Sequence, residues 1–320
     1  MTTPLRWGII GTGGIAHTFA RDLEHLDDAL VAAVGSRSRE SAEAFGEEFK
    51  VPARHDSYRS LVEDPTVDVV YVSTPHPMHH DNAMLALEHG KPVLVEKSFT
   101  MTSGEARELV ATAREKKLFL MEAMWMRFLP HIVKLRQLLG DGVIGDVVTV
   151  SADHGQWFEK DPGFRLFAPG LGGGALLDLG VYTVSFASMI LGPPQRVSAM
   201  VTPAFTGVDA TTSMLFGYES GAQAILTCTS LARSETRASI VGTDGRIEIM
   251  GDFYAPSSFI LRLRDGKSEA FEFSTKGRGL QYEAVEVARC VRSGELESPI
   301  MPLDESVSIM ETMEGVLQFL

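Results

Sequence analysis

Over the first 122 residues, short apolar runs alternate with stretches of helical spacing. The apolar runs are Leu5 to Ile10, Leu30 to Gly35, Val67 to Ser73, Pro92 to Val95 and Leu118 to Met121. Between them, Ile15 to Leu26, Glu40 to Glu48, His80 to His89 and Ser103 to Lys116 place apolar residues on one face of a helix. Strands that are apolar along their whole length are buried on both faces, which requires a parallel sheet covered by helices on each side. The pattern predicts a doubly wound α/β domain over residues 1–122.

After a helical stretch at Pro130 to Leu139 the period changes to two. Alternating segments occur at Val147 to His154, Arg196 to Val201, Thr211 to Tyr218, Ala222 to Ser230, Thr236 to Val241, Gly245 to Met250 and Phe259 to Leu263. Asp244-Gly245 and Asp265-Gly266 are hairpin-turn pairs. Alternation of this kind marks an antiparallel sheet with one face covered. A helix starting near Gly173 interrupts it, and Gln281 to Arg292 and Asp304 to Leu320 close the chain as helices. The prediction is an α+β domain over residues 123–320, built on a large, mainly antiparallel, open-faced sheet, whose C-terminal helix is available to pack back on the first domain. Such an open apolar face predicts pairing with a second copy, a homodimer through the C-terminal sheet. The helical pattern runs into Leu320, leaving room for further residues in the natural chain.

Composition narrows the function. Hydrophobic residues make up 44% and charged residues 22%, so a core is affordable, while the net charge of −13 opposes nucleic acid and anionic membranes as partners. The 2 cysteines, Cys228 and Cys290, are too few for a disulfide framework and fit a reducing compartment. Met1 to Trp7 lacks the basic-then-apolar pattern of a secretory signal, and no stretch is expected to approach the roughly 20 apolar residues of a membrane helix. The cytoplasm is the expected location.

The first strand runs into Gly11-Thr12-Gly13-Gly14-Ile15-Ala16, a G-x-G-x-x-A turn that opens a helix. Glycines let the backbone approach a pyrophosphate, and the helix N-terminus offers it free N–H groups. In this strand-to-helix context the pattern predicts a dinucleotide-binding, Rossmann-type domain. NAD-binding chains place a carboxylate at the end of the second strand, but here stand Gly35-Ser36-Arg37-Ser38-Arg39. Ser36, Arg37 and Arg39 offer hydroxyl and guanidinium groups to a 2′-phosphate, which favours NADP over NAD. The plainer alternative is that both arginines are solvated at a helix start capped by Ser38. At the end of the next long strand, Thr74 and Pro75 face the ligand crevice, with His76 and His79 beside them as candidate cofactor contacts. No carboxylate or cysteine is spaced with His76, His79 and His80 to complete a metal site, so no metal is expected.

Glu96 and Lys97 sit at the end of an apolar strand, where the pair reads by default as a solvated strand end or else as an ammonium held where it can act on a ligand. Asp178 and Tyr182, four residues apart after the glycine run 172–174, share one helix face. Taken alone, Tyr182 reads equally as a core residue and Asp178 as a solvated carboxylate. Trp125 and Arg127 lie at the domain junction, where they either wall a nicotinamide and assist a phosphate or pack the junction. Trp157, Phe158, Phe164, Arg165 and Phe167 form an aromatic-rich loop suited to a substrate wall, with Phe158, Arg165 and Phe167 as the candidates, or to core packing.

The combination of Gly11-x-Gly13-x-x-Ala16, Glu96-Lys97 and Gly172-Gly173-Gly174-x-x-x-Asp178-x-Gly180-x-Tyr182 resembles the Gfo/Idh/MocA oxidoreductase family over nearly the whole chain. Met121 to Pro130, with tyrosine rather than histidine at 182, is similar to the branch that holds dimeric dihydrodiol dehydrogenase and NADP-dependent D-xylose dehydrogenase. The resemblance implies hydride transfer between NADP and a secondary alcohol or hemiacetal carbon of a sugar, polyol or cyclic trans-diol. It implies that Lys97 binds the substrate hydroxyl and the cofactor ribose and that Tyr182 transfers the proton; Asp178, on the same helix face, is placed to orient substrate or Lys97, and Trp125, Asp178 and Tyr182 also count as substrate contacts. A phenol is ordinarily a weak base at neutral pH, and a neighbouring ammonium would favour its ionised form. Two alternatives stay open on the same fold: a non-catalytic NADP-binding sensor and an NAD-dependent glycosidase.

Overall fold

A computed structural model describes residues 3–320 of the chain. Six strands form the first sheet: β1 (Leu5–Ile10), β2 (Ala29–Gly35), β3 (Ala53–His55), β4 (Val69–Val72), β5 (Val93–Glu96) and β6 (Leu120–Ala123). They are ordered β3-β2-β1-β4-β5-β6 and every pair is parallel. The order reverses between β1 and β4, where the carboxyl ends of the strands open a crevice. Helices α1 (Gly14–Leu23), α2 (Arg39–Glu48), α3 (Tyr58–Val62), α4 (His79–Glu88) and α5 (Ser103–Lys116) connect the strands. The apolar runs are apolar because β4 and β5 are buried at every position. β3 and α3 went unrecognised: Ala53-Arg54-His55 is short and polar, and α3 has only 5 residues.

The second sheet has eight strands: β7 (Val147–Gly155), β8 (Arg196–Pro203), β9 (Asp209–Gly217), β10 (Gln223–Thr229), β11 (Ala238–Gly242), β12 (Gly245–Ile249), β13 (Phe259–Leu263) and β14 (Ser268–Phe271). Their order is β14-β13-β12-β11-β7-β10-β9-β8, antiparallel except for β7 with β10. α6 (Pro130–Gly140) precedes it and α7 (Val181–Leu191) packs on β7 and β10. One expectation is corrected here. The helical run Pro169–Leu191, 23 residues, is long and apolar enough for a membrane span by length and composition, although 83% of its most apolar window is buried. Its apolarity serves burial, with α7 packed on β7 and β10.

α8 (Gln281–Ser293) and α9 (Leu303–Leu317) complete the chain. The compact units are Met1–Trp125 with Lys276–Val307, and Met126–Thr275 with Ser308–Leu320. The division thus differs from a single boundary between 122 and 123, because α8 belongs with the parallel sheet. Its attachment is polar as well as apolar: buried Asp22 on α1 accepts from the N–H groups of Arg278, Gly279 and Leu280 at 2.9, 2.8 and 2.8 Å. A carboxylate there fills the donors of an incoming helix end.

Candidate active site

In the first unit, the β1–α1 turn opens a cleft of about 500 Å³ lined by Gly11, Thr12, Gly13, Ser36, Arg37, Ser38, Ser41, Tyr58, Ser73, Thr74 and Pro75. Gly11 has φ +104°, and a side chain there would also press on Ser73, so the turn itself demands glycine. Gly13 and Gly14 differ: nothing lies within 4 Å of where their Cβ atoms would stand. The space they leave lies before the N-terminus of α1, which has no side-chain cap. Uncapped N–H groups facing open space suit a pyrophosphate. Ile15 follows on the first turn, 36% exposed.

The two candidate guanidinium groups separate. Arg37 is exposed and lines the cleft beside Ser36, Ser38 and Ser41. Arg39 turns away, with ion pairs to Asp56 at 3.3 Å and Glu43 at 3.7 Å, so its charge is already matched. Arg39 thus stands as a surface ion-pair residue outside the lining of the cleft. Ser38 caps α2 by accepting from the Ser41 N–H at 3.3 Å, while Tyr58 enters the cleft from α3. Tyr58 was missed because α3 was. These groups fit an adenosine dinucleotide carrying a 2′-phosphate: an open floor of glycine, free amides, and an arginine with hydroxyls at the end of β2.

Further along the sheet edge, Thr74 and Pro75 line the same cleft and His76 is buried beside them. His79 is fully buried, its Nδ1 at 2.8 Å from the Ser98 carbonyl and its Nε2 at 2.8 Å from the Thr74 carbonyl. It therefore sits between the loop after β4 and the loop after β5, donating to one of the two carbonyls, rather than lining the cleft. Burial also pulls its pKa down. Glu96, buried at the end of β5, accepts from the Tyr71 hydroxyl and from the Lys97 N–H at 3.2 Å. Lys97 is half-buried at the carboxyl edge, as its place after β5 requires. Trp125 is 5% exposed and ends this unit's first segment. Among the described residues no group of three or more His, Cys, Asp or Glu is placed to hold a metal.

In the second unit the glycine run explains itself residue by residue. A side chain on Gly173 would meet the Leu166 and Ala168 carbonyls at 2.8 Å. Gly174 has φ +129°, and its Cβ would lie 2.1 Å from an oxygen of Asp209. That buried carboxylate accepts from the Leu176 N–H at 2.6 Å and so anchors the start of the helical run. The turn Leu176–Gly180 is wound as a π-helix before α7 takes over, a widening often found at functional sites. Gly180 admits Leu176 and Cys228, whose atoms would lie 2.8 and 2.9 Å from a Cβ.

Asp178 and Tyr182 are each 5% exposed on this run. Asp178 receives both guanidinium nitrogens of Arg165, at 2.8 and 2.9 Å. Tyr182 lies in an aromatic cluster that spacing did not reveal: its ring centroid is 4.6 Å from Tyr254 and 5.4 Å from His154, which itself stacks on Tyr254 at 4.3 Å. Gln156 bridges His154 Nε2 at 3.0 Å and the Tyr254 hydroxyl at 3.3 Å. His154 lies on β7 and Gln156 just past its end, but nothing in the sequence linked them to Tyr254, about a hundred residues on. Two further candidates are buried. Arg127 is 1% exposed and donates to Ser185, to its Oγ at 3.0 Å and its carbonyl at 2.9 Å, which braces α7. Phe167 is fully buried against Phe205, with centroids 5.2 Å apart, and acts as core; Phe158, packed on Phe164 at 5.3 Å, is half-buried in the loop.

Comparison with known proteins agrees with this architecture. Residues 5–124 match the model of the oxidoreductase family with NAD-binding Rossmann fold, and residues 132–248 match the GFO/IDH/MocA C-terminal domain. A trans-1,2-dihydrobenzene-1,2-diol dehydrogenase from Xenopus tropicalis is 38% identical over 323 residues, covering 98% of this chain and 97% of its own. A D-xylose 1-dehydrogenase (NADP(+)) from Hypocrea jecorina is 36% identical over 360 residues, covering 98% of this chain and 91% of its own. Among solved structures, the 3-ketoreductase KijD10 from Actinomadura kijaniata, crystallised with NADP and TDP-benzene, is 28% identical, with a TM-score of 0.87 over 99% of this chain and 98% of its own. With both halves of the fold, the glycine turn and the Glu96-Lys97 edge in place, the chain belongs to the GFO/IDH/MocA oxidoreductase family.

Proposed function

We propose that this protein is an NADP-dependent dehydrogenase or reductase acting on a CH–OH carbon of a sugar, polyol or cyclic trans-diol. The observation that carries the reading is the cleft of about 500 Å³, which combines an uncapped helix N-terminus with Arg37 and three serines where a 2′-phosphate would be sought. When bound, the nicotinamide supplies the hydride acceptor or donor. The chain's own residues bind, orient and move the proton. Lys97 is assigned the substrate hydroxyl as an ammonium donor, Tyr182 the proton transfer, and Asp178 the fixing of substrate or of its partner arginine. The relatives, a diol dehydrogenase and an NADP-dependent xylose dehydrogenase, bracket the substrate class.

The test is a screen of NADP⁺ and NAD⁺ against D-xylose, other aldoses, inositols and trans-1,2-dihydrobenzene-1,2-diol, read by absorbance of the reduced nicotinamide. Turnover of at least one with NADP⁺, lowered by about a hundredfold or more in Lys97→Met and Tyr182→Phe, is the expected result. Cofactor binding without turnover of any would mark a sensor instead. Near-parental rates in both variants would remove the site assignment.

We also infer a homodimer through the open face of the second sheet, where Val148, Met200, Leu215 and Ile225 are 45, 75, 46 and 50% exposed. Sedimentation showing only monomer at micromolar concentration would refute it. Both thiols are free and buried, which suits the cytoplasm as the proposed compartment.

A further inference from the structure

His154 has a more specific place in the second unit than a core histidine needs. It lies on β7, 1% exposed, and its Nδ1 is 3.1 Å from the carbonyl of Leu179. Leu179 sits inside the π-helical turn Leu176–Gly180, between Asp178 and Tyr182. A carbonyl only accepts, so Nδ1 carries the ring proton and Nε2 is left as an acceptor. Gln156 meets that acceptor with its amide nitrogen at 3.0 Å, which locks the same tautomer. The amide nitrogen also reaches the Tyr254 hydroxyl at 3.3 Å, and Tyr254 stacks on His154 with planes 28° apart. Tyr182 contacts both rings, at 59° to His154 and 37° to Tyr254.

Two constraints therefore converge on one phenol. The turn that carries it is tied to β7 through the Leu179 carbonyl, and the plane of its ring is set by a pair of stacked rings. We propose that His154 is a positioning residue for Tyr182: in its Nδ1–H form, held by Gln156, it fixes the height of the π-helical turn and the orientation of the phenol. The proposal rests on the assignment of Tyr182 to proton transfer. It goes beyond that assignment by naming the group that holds the phenol and the hydrogen bond through which it does so.

The test compares His154→Asn, His154→Phe, Gln156→Leu and Tyr182→Phe, assayed with NADP⁺ and D-xylose or trans-1,2-dihydrobenzene-1,2-diol. The amide of asparagine can replace the Nδ1–H donor toward Leu179, whereas phenylalanine keeps the ring and loses the bond. His154→Phe is expected to lower kcat about tenfold or more with the KM for NADP⁺ unchanged, and to shift the pH profile of kcat. His154→Asn is expected to recover most of that loss, and Gln156→Leu to shift the pH profile in the same direction by less. An unchanged kcat and pH profile in His154→Phe, or equal losses in the Phe and Asn variants, would overturn the proposal. Should the Phe variant not fold, Gln156→Leu decides, since an unaltered profile there also overturns it. If Tyr182→Phe is inactive while His154→Phe is normal, the positioning role alone fails; near-parental turnover in Tyr182→Phe removes the proton-transfer assignment as well.

Discussion

Arg165 grips Asp178 with two parallel hydrogen bonds, 2.8 and 2.9 Å long, linking the aromatic loop to the turn that carries Tyr182. The carboxylate side chain is 7% exposed and the arginine side chain 52%, so the pair is buried at one end and wet at the other. Two oxygens received by one planar guanidinium fix an orientation that a point charge would not.

Arg165→Lys is accordingly expected to behave like Arg165→Ala in kcat/KM, with a loss of about tenfold in each, because a single ammonium cannot make the forked contact. Stability should change little, by about 1 kcal/mol or less, since the arginine is half in water. Limited proteolysis should cut the loop 156–171 sooner in both variants. Wild-type kinetics in the lysine variant would show that charge alone suffices.

Cofactor choice should reside in Arg37 and not in Arg39. Arg37 lines the cleft, while Arg39 is engaged by Asp56 and Glu43. A hydrogen bond to a charged group contributes about 1.5–3 kcal/mol, or roughly ten- to a hundredfold in affinity. Arg37→Ala should therefore raise the Kd for NADP⁺ by at least about tenfold and leave NAD⁺ nearly unaffected. Arg39→Ala should move either value by less than about threefold. Isothermal titration of both variants with both dinucleotides checks this, and equal losses would break the assignment.

Glu283 on α8 is fully buried, and neither carboxyl oxygen has a hydrogen-bond partner among the described residues. Burial first, then the charges of Glu96 and Asp22, holds its pKa well above the usual carboxylate range. In the unfolded chain the group ionises near pH 4.3. Above that pH the unfolded state has lost a proton that the fold still retains, so this residue's contribution falls as pH rises toward the folded pKa. Glu283→Gln, permanently neutral, should raise the melting temperature relative to wild type by a margin that widens from about pH 5 to about pH 8. A margin that does not vary with pH would mean that Glu283 titrates as an ordinary carboxylate.

Much of the fold was legible because periodicity reports burial directly. The strands of the parallel sheet read as unbroken apolar runs, those of the second sheet as alternation, and α5 begins at its capping box of Thr102 and Glu105. The short polar pair β3 and α3 escaped, and Tyr58 with it. Local turns were legible too, since Gly11 and Gly174 occupy backbone conformations that glycine favours.

Sequence alone determined the two sheets, the glycine turns and the residue types available for a dinucleotide and a proton transfer, because these depend on spacing within one element. Only the folded chain decided which charges are already matched. It paired Arg39 with Asp56 and Glu43, bonded Arg127 to Ser185, buried Phe167 against Phe205, and left Arg37 facing the cleft. It also brought His154, Tyr182 and Tyr254 together from β7, α7 and the loop after β12. An arginine's partner, or a ring's neighbour, depends on distances set by packing between elements remote in the chain, and no periodicity within a segment encodes those distances.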